Sequence, residues 1–182
     1  MRWKNVVFCK DKRTIKKTYY ESFSQTERMP WTLMLLLSCT PTTRFRSFYD
    51  DEKLCGSIYY GALGSYIFVM FFAVDVELRG RGYGSKILAE LRTQYPNRKI
   101  LVTIDPPSRD MADIKTRRKQ FYIRNGFEET GYYIKSFGNE QEILLSGGKF
   151  SKVGFSVFLL IYSCFAICPR IEKHDLCRRS IE

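Results

Sequence analysis

The sequence predicts an α+β fold with α/β/α layers, in which helices flank a central, mostly antiparallel mixed β-sheet. Three strand-like segments, 44–49, 54–61 and 66–74, follow one another with short turns between them, as antiparallel hairpins do. From residue 84 the apolar residues recur at helical spacing instead. Because strands and helices mix along the rest of the chain, the pattern indicates one layered domain rather than an all-helical or all-strand protein.

The first half of the chain supports two helices before these strands. Residues 10–22 place Ile15 and Tyr19 on one face of a helix, and a second helix is expected over 31–38. Segment 66–74 is a nearly continuous apolar run, which is typical of a strand that is buried on both faces. We therefore expect this strand to lie in the interior of the sheet.

The second half of the chain is punctuated by Pro and Gly. Pro96 closes a helix, Pro106 and Pro107 stop a strand, and Gly126 is well placed as the residue that ends a further helix. The predicted elements are a helix over 84–95, a strand over 99–104, a helix over 111–125, and strands over 131–136 and 141–145 around the hairpin pair Gly138-Asn139.

The length of 182 residues fits one domain of ordinary size. We expect a single domain over 1–149 and a helical extension over 150–182 that packs on or near it. Segment 153–168 carries no charge but is too short to span a membrane, so we expect a buried amphipathic helix and no membrane partner. No secretory signal opens the sequence, which predicts a reduced, cytoplasmic setting.

The net charge is +11, from 30 Lys and Arg against 19 Asp and Glu. A nucleic acid, a membrane surface, a polyanionic small ligand or a plain solvated basic surface would each account for this excess. The aromatic residues lie in apolar strand segments rather than beside Lys and Arg clusters, and no RNA or DNA motif is present. The sequence therefore argues against a nucleic-acid partner.

The cysteines give no sign of a metal site. Six Cys residues are scattered along the chain. The densest group near the C-terminus lacks the spacing of the usual zinc ligand pairs. We therefore predict no metal at that group, which comprises Cys164, Cys168, His174 and Cys177.

The most informative segment joins the strand 66–74 to the helix that follows it. A strand that leads through a glycine-rich turn into a helix directs several free backbone N–H groups at one spot, and the helix dipole adds to the attraction for an anion. Gly82 and Gly84 allow close backbone approach and positive φ, while Arg79 and Arg81 bring positive charge. The segment therefore predicts a site for phosphate groups.

The order of residues narrows the choice of phosphate ligand. The nucleotide P-loop pattern is absent, and the dinucleotide pattern Gly-x-Gly-x-x-Gly fails at Ser85. The pattern Arg-x-x-Gly-x-Gly is met by Arg79, Gly82 and Gly84. This run resembles the central acetyl-coenzyme A motif of the GNAT superfamily of N-acetyltransferases, whose loop wraps the diphosphate of the cofactor.

The resemblance implies a set of cofactor-binding residues. In that family the end of the preceding strand holds the pantetheine arm and polarises the thioester carbonyl through main-chain groups. The strand-end residues implied here are Phe72, Ala73 and Val74, and the loop residues are Arg79, Gly80, Arg81, Gly82, Tyr83, Gly84 and Ser85.

A second segment agrees with the first. Phe121 and Tyr122 are followed four residues later by Gly126-Phe127, which is similar to the second motif of the GNAT family. The resemblance implies that Tyr122 protonates the departing coenzyme A thiolate, and a phenol with a pKa of about 10 is suited to that task. The alternative is that Tyr122 is an aromatic residue of the core whose hydroxyl is hydrogen-bonded to the backbone.

Two further positions are candidates with open alternatives. Asp105 follows the strand 99–104, where many family members place an acidic residue facing the cleft, so it is a candidate general base or a cap of the following loop. Arg117 and Arg118 are candidates for phosphate contacts, although exposed charges of a helix are the commoner explanation.

The sequence therefore predicts an N-acetyltransferase that moves the acetyl group of acetyl-coenzyme A to a primary amine by direct attack. The expected acceptor is an unidentified small molecule or peptide, and a homodimer is left open. A GNAT-fold protein that binds coenzyme A without catalysis is the alternative, and a basic nucleic-acid-binding protein is a third.

Overall fold

The computed structural model describes residues 1–107, 110, 113–136, 139–163 and 170–173. It divides into two compact units, Met1–Arg98 and Lys99–Glu182. The elements of the first unit are β1 (Arg2–Asn5), α1 (Lys12–Ser22), α2 (Trp31–Leu37), β2 (Thr43–Asp50), β3 (Lys53–Leu63), β4 (Tyr66–Val74) and α3 (Tyr83–Gln94).

The strands of the first unit pair in the order β1-β2-β3-β4, and each pairing is antiparallel. Tyr59 and Tyr60 are neighbours on β3, so their side chains point to opposite faces of the sheet. Tyr59 packs with the aromatic side chains next to α1 and α2, whereas the Tyr60 hydroxyl lies 3.1 Å from the hydroxyl of Tyr95, just after α3. Helices therefore cover both faces of this sheet, as the predicted layers require.

Aromatic side chains fill the face that α1 and α2 cover. Tyr19 of α1 meets Phe71 of β4 edge-on at 5.2 Å between ring centroids, and Phe45 meets Tyr59 in the same way at 5.5 Å. Such edge-to-face pairs add roughly 0.5–1.5 kcal/mol each beyond the area they bury. Many of the aromatic residues of this unit thus serve to fill its hydrophobic core.

Strand β4 departs from the prediction that both of its faces are buried. Ile67, Val69 and Ala73 are buried, but the other residues of the strand are half-buried. The register with β3 passes from Phe71 to Val69, so Met70 is an extra residue that forms a β-bulge. A bulge bends its strand and changes which side chains face each side of the sheet, which fits the loss of regular alternation in burial after Val69.

The second unit contains β5 (Lys99–Ile104), α4 (Ile114–Arg124), β6 (Glu128–Ser136), β7 (Asn139–Ser146), α5 (Lys152–Tyr162) and β8 (Arg170–Lys173). Its strands pair in the order β5-β7-β6-β8, and each pairing is antiparallel. Helix α4 ends where predicted, because Gly126 adopts φ 72° and the Phe127 amide donates back to the Tyr122 carbonyl at 3.1 Å.

A buried charge cluster ties α4 to the sheet of the second unit. The Lys119 ammonium lies 2.9 Å from Glu142 on β7 and 2.8 Å from Glu129 on β6. Glu142 is only 2% exposed, and these two carboxylates raise the pKa of Lys119 in spite of its burial. A buried carboxylate needs such a partner, since an unpaired charge in the interior is strongly destabilising.

The C-terminal segment differs from the helical extension that the sequence predicts. Helix α5 buries Phe155, Phe158 and Leu159 as expected, but the chain then returns as strand β8 beside β6. This strand has only four residues, Arg-Ile-Glu-Lys, of which Ile171 alone is buried. So short and charged an edge strand has no recognisable pattern, and the same holds for β1. The domain boundaries at 149 and 150 stay a prediction.

The expectations about membrane spans and metal sites can be compared only with the described residues. No helix within the described ranges is long and apolar enough to cross a membrane. The same residues contain no group of three or more His, Cys, Asp or Glu side chains fit to hold a metal ion. The cluster of Cys164, Cys168, His174 and Cys177 lies outside the described residues, and so do Gly138 of the predicted hairpin and residues 111 and 112 of the predicted helix.

Candidate functional site

The loop between β4 and α3 has a defined course. Asp75 caps a single 3-10 turn over Val76–Leu78, its side chain accepting from the Glu77 amide at 3.0 Å. Leu78 is buried and holds the turn down, and the chain then passes through Gly80 and Gly82 to the start of α3. The glycine-rich segment is therefore held by a turn at one end and a helix at the other.

Two glycines of this loop carry left-handed backbone conformations. Gly80 has φ 74° and Gly82 has φ 80°, and no atom lies within 4 Å of a Cβ built on either one. Backbone conformation rather than space therefore calls for glycine at both positions. Gly82 uses the positive φ that glycine allows, whereas Gly84 lies in the first turn of α3 and does not.

The start of α3 leaves several amides without a backbone acceptor. Gly82 is the N-cap, and the first helical amide that finds a partner is that of Lys86, which donates to the Gly82 carbonyl at 3.1 Å. Across 72–86, a stretch that is described throughout, the amides of Tyr83, Gly84 and Ser85 donate to no backbone carbonyl. Together with the helix dipole they form a surface for an anion.

The two arginines of the loop differ in what they contact. Arg79 donates from Nε to the Val74 carbonyl at 3.2 Å and from Nη2 to the Ser22 hydroxyl at 2.9 Å, so it ties the loop to the end of β4 and to α1. Arg81 is exposed, and no described carboxylate forms a salt bridge with it. Arg81 is thus the loop arginine whose charge is available to a phosphate group.

Tyr83 anchors the first turn of α3. Its hydroxyl donates to Asp50 at the end of β2 at 3.2 Å, and the Lys86 ammonium lies 4.9 Å from its ring. Burial and the hydrogen bond to Asp50 both raise the pKa of Tyr83 and keep the phenol neutral. The side chain of this predicted cofactor residue is therefore structural, and its amide is the part left for a ligand.

Gly56 is a supporting residue that the sequence analysis missed. It lies on β3 opposite Val74, and a Cβ there would come within 2.5 Å of the Ala73 carbonyl oxygen and 3.1 Å of the Ile87 side chain of α3. A glycine inside a strand often marks such a close backbone approach, which was the available signal. Gly56 therefore sets how closely α3 and the end of β4 approach β3.

Replacing Gly56 should test that packing. We expect Gly56→Ala to lower the free energy of unfolding by about 1–3 kcal/mol. The added methyl group would overlap the Ala73 carbonyl oxygen, and a main-chain atom cannot move away without distorting the strand. Urea denaturation followed by circular dichroism measures this change. A variant as stable as the parent protein would show that the contact relaxes without cost.

The end of β4 contributes main-chain groups. Phe72, Ala73 and Val74 pair with Ile58, Ser57 and Gly56 of β3. The Val74 carbonyl accepts from the Arg79 guanidinium, so its oxygen is occupied. The assignment of Phe72, Ala73 and Val74 to the pantetheine arm stays a prediction.

Tyr122 and Asp105 belong to the second unit. Tyr122 lies on α4 between the rings of Phe121 and Phe127, each 5.2 Å away by centroid, and is 8% exposed. Burial raises the pKa of Tyr122 to about 12, and the nearby Arg118 lowers it by less. This is higher than the value of about 10 on which the sequence argument relied, so the phenol is a weaker acid than expected.

The carboxylate of Asp105, a candidate general base, is already paired with a lysine. Its carboxylate lies 3.8 Å from the Lys115 ammonium in the first turn of α4, and its side chain is 29% exposed. The ion pair gives Asp105 a part in holding the segment after β5. Of the two candidate phosphate ligands, Arg117 is exposed and Arg118 is half-buried beside Tyr122.

Comparison with known proteins places these residues in a family. A family model described as an acetyltransferase (GNAT) domain matches residues 42–129, which include Gly56, the loop, Asp105 and Tyr122. The Bacillus subtilis protein YjbC, an acetyltransferase by provisional assignment, is 31% identical over 104 residues. Residues 42–129 of this chain therefore form a GNAT acetyltransferase domain. The match to YjbC covers 53% of this chain and 53% of YjbC, so the chain spans about half the length of that relative.

Solved structures support the GNAT fold. A GNAT-family protein from Bacteroides thetaiotaomicron is 21% identical with a TM-score of 0.75, over 92% of this chain and 99% of that one. An N-acetyltransferase, PaiA, from Thermoplasma acidophilum in complex with coenzyme A is 14% identical with a TM-score of 0.53, over 81% and 100% of the two chains. At these identities the likeness concerns the fold alone, and the predicted fold class is confirmed.

Proposed function

We propose that this GNAT protein binds acetyl-coenzyme A and transfers the acetyl group to a primary amine. The observation that carries the proposal is the set of unpartnered amides from Tyr83 to Ser85 at the start of α3, next to the exposed charge of Arg81. An N-terminal amide cluster of this kind suits a diphosphate. The family match over 42–129 supports coenzyme A rather than another diphosphate.

The chemistry assigns a role to each candidate residue. The amides of α3 and Arg81 hold the diphosphate, while main-chain groups of Phe72 and Ala73 hold the pantetheine arm and polarise the thioester carbonyl. The acceptor amine attacks that carbonyl carbon, the carbon–sulfur bond breaks, and the amine proton and the thiolate must both be accommodated. Tyr122 supplies a hydrogen bond, and finally a proton, to the leaving sulfur.

The raised pKa of Tyr122 shapes that role. A thiol has a pKa of about 8.5 and the phenol has one of about 12, so full proton transfer to a solvated thiolate would be unfavourable. Donation fits best when the sulfur is still desolvated and more basic than in water. Asp105, or water next to it, is proposed to take the amine proton once the Lys115 contact loosens.

Binding and turnover test the proposal separately. Calorimetry with coenzyme A and acetyl-coenzyme A should show one site per chain, and free thiol should appear when acetyl-coenzyme A is mixed with an accepting amine from a panel of small amines and peptide N-termini. Absence of heat with both nucleotides would overturn the proposal. Binding without thiol release for any amine would favour the non-catalytic alternative instead.

A further inference from the structure

Helix α5 carries exposed apolar side chains on its outer side. The inner side of the helix packs into the core through Phe155 and Phe158. On the opposite side, Val153, Val157 and Ile161 are 73%, 46% and 50% exposed. Because these three residues are four positions apart, their side chains form one row along the helix, called here the outer row.

Aromatic contacts on the inner side fix the direction of the outer row. The ring of Phe155 lies 6.0 Å from that of Phe150 and 5.9 Å from that of Phe158. The ring of Phe158 in turn stacks on Tyr162 at 5.6 Å. A rotation of α5 that buried the outer row would expose these rings instead. The outer row is therefore held at the surface, where exposed apolar side chains in one group indicate an interaction site.

The composition of α5 restricts the kind of partner. The helix has 11 residues, of which only Lys152, at its first position, is charged. A nucleic acid or an acidic peptide requires several cations on the surface that it contacts. Helices that lie on lipid surfaces are rich in Lys and Arg as well, and α5 is not. The outer row therefore suits an apolar protein surface.

The outer row is complementary to a second copy of itself. Side chains four residues apart form the ridges that interlock when two helices pack. Val157 is the middle residue of the row, so a two-fold axis beside it would set Val157 against its own copy and Val153 against Ile161 of the second copy. Gly154 lies next to the row and has no side chain, which leaves room for the larger Ile161 of the second copy.

The charges at the ends of α5 favour an antiparallel pair. Lys152 lies at the N-terminus, where a cation opposes the positive end of the helix dipole, and the last turn contains no basic residue. In an antiparallel pair, each Lys152 lies beside the C-terminal end of the other helix, where a cation is favourable. One arrangement thus corrects both features, and it requires a second copy of the same helix.

We propose that this chain forms a two-fold dimer in which α5 packs antiparallel against α5 of the second copy. A helix of 11 residues is roughly 16 Å long. A contact of that length is smaller than the roughly 800 Å² per partner that a stable interface buries. The dimer therefore dissociates at micromolar concentrations, and its formation does not depend on acetyl transfer.

Sedimentation velocity over about 1–200 µM protein measures this association. We expect the sedimentation coefficient of the parent protein to rise from that of a monomer toward that of a dimer. Val157→Lys places two like charges together at the two-fold axis and should weaken association more than about tenfold. The matched control is Leu36→Lys on α2, where the parent side chain is 68% exposed, and it should stay within about twofold of the parent.

Two charge substitutions test the antiparallel arrangement. Val153→Glu and Ile161→Lys should each weaken the dimer about tenfold, because each sets a charge against an apolar side chain of the second copy. The double variant Val153→Glu/Ile161→Lys sets a carboxylate against an ammonium at both ends of the contact and should recover most of the lost affinity. Both substitutions agree with the dipole of their own helix, and circular dichroism confirms that each variant keeps its fold.

Several outcomes would overturn the dimer. These are a parent protein that stays monomeric at about 200 µM, a Val157→Lys variant that associates like the parent, a Leu36→Lys variant that dissociates like Val157→Lys, and a double variant as weak as the single ones. Flotation with phosphatidylglycerol vesicles tests the lipid alternative. Vesicle binding by a monomeric parent that Val157→Lys abolishes would assign the outer row to a membrane surface instead.

Discussion

Gly82→Asp should weaken coenzyme A binding by at least about 100-fold. Gly82 is the N-cap of α3 and has φ 80°, and the amides that follow it are those proposed to hold the diphosphate. Aspartate is among the few residues that adopt left-handed backbone, so the loop can keep its course. Its carboxylate would then lie against the diphosphate, where like charges about 4 Å apart repel by roughly 4 kcal/mol at an effective dielectric constant near 20. Calorimetry gives the affinity.

Gly64 provides the matched control for this change. It has φ 54° in the turn between β3 and β4, and, as at Gly82, no atom lies within 4 Å of a built Cβ. Gly64→Asp therefore imposes the same backbone cost and the same charge at a place away from the loop. We expect both variants to lose a similar, small amount of stability and only Gly82→Asp to lose affinity. Equal affinities in the two variants would contradict the placement of the diphosphate at α3.

The sequence predicts the elements whose side chains repeat with a clear period. The helix over 84–95 is found as α3 with Ile87, Leu88 and Leu91 buried, and the apolar run 66–74 is found as β4. The sequence also predicts the conformation of the N-cap Gly82, because a left-handed residue before a helix is commonly a glycine. Such features depend on neighbours along the chain.

The features that escape prediction depend on residues far apart in the sequence. The hydrogen bond from Tyr83 to Asp50 and the salt bridge of Asp105 with Lys115 have no local signature. A glycine within a strand, as at Gly56, is a local signal of close backbone approach, but the sequence does not show which residues approach it. Burial of Tyr122 between two rings likewise decides its pKa, and only the folded chain shows that. The candidate residues could therefore be named from the sequence. Which of their polar groups already bind other parts of the protein, and which are left for a ligand, could not.

Tyr122→Phe should lower kcat by about 100-fold or more while coenzyme A affinity changes by less than about threefold. General-acid donation contributes typically 10²–10⁴-fold, and the phenylalanine ring still fills the space between Phe121 and Phe127. Thiol release under saturating substrates gives kcat, and calorimetry gives affinity. Tyr133→Phe is the control, since Tyr133 is equally buried at 8% exposure in the same unit. Unchanged kcat in Tyr122→Phe would leave Tyr122 as a core aromatic.

The pH dependence gives an independent test of the same residue. Because the pKa of Tyr122 is raised to about 12, the phenol stays protonated throughout the neutral and mildly alkaline range. Folding favours the neutral phenol, so its contribution to stability is present below the unfolded pKa of about 10 and is lost as the pH rises toward 12. Turnover should accordingly rise with pH as the acceptor amine loses its proton and show no decline from Tyr122 below about pH 11. A decline of turnover with a midpoint near pH 10 that disappears in Tyr122→Phe would mean that the phenol ionises as if it were exposed to solvent. The proposal that a buried Tyr122 hydroxyl donates the proton would then be wrong.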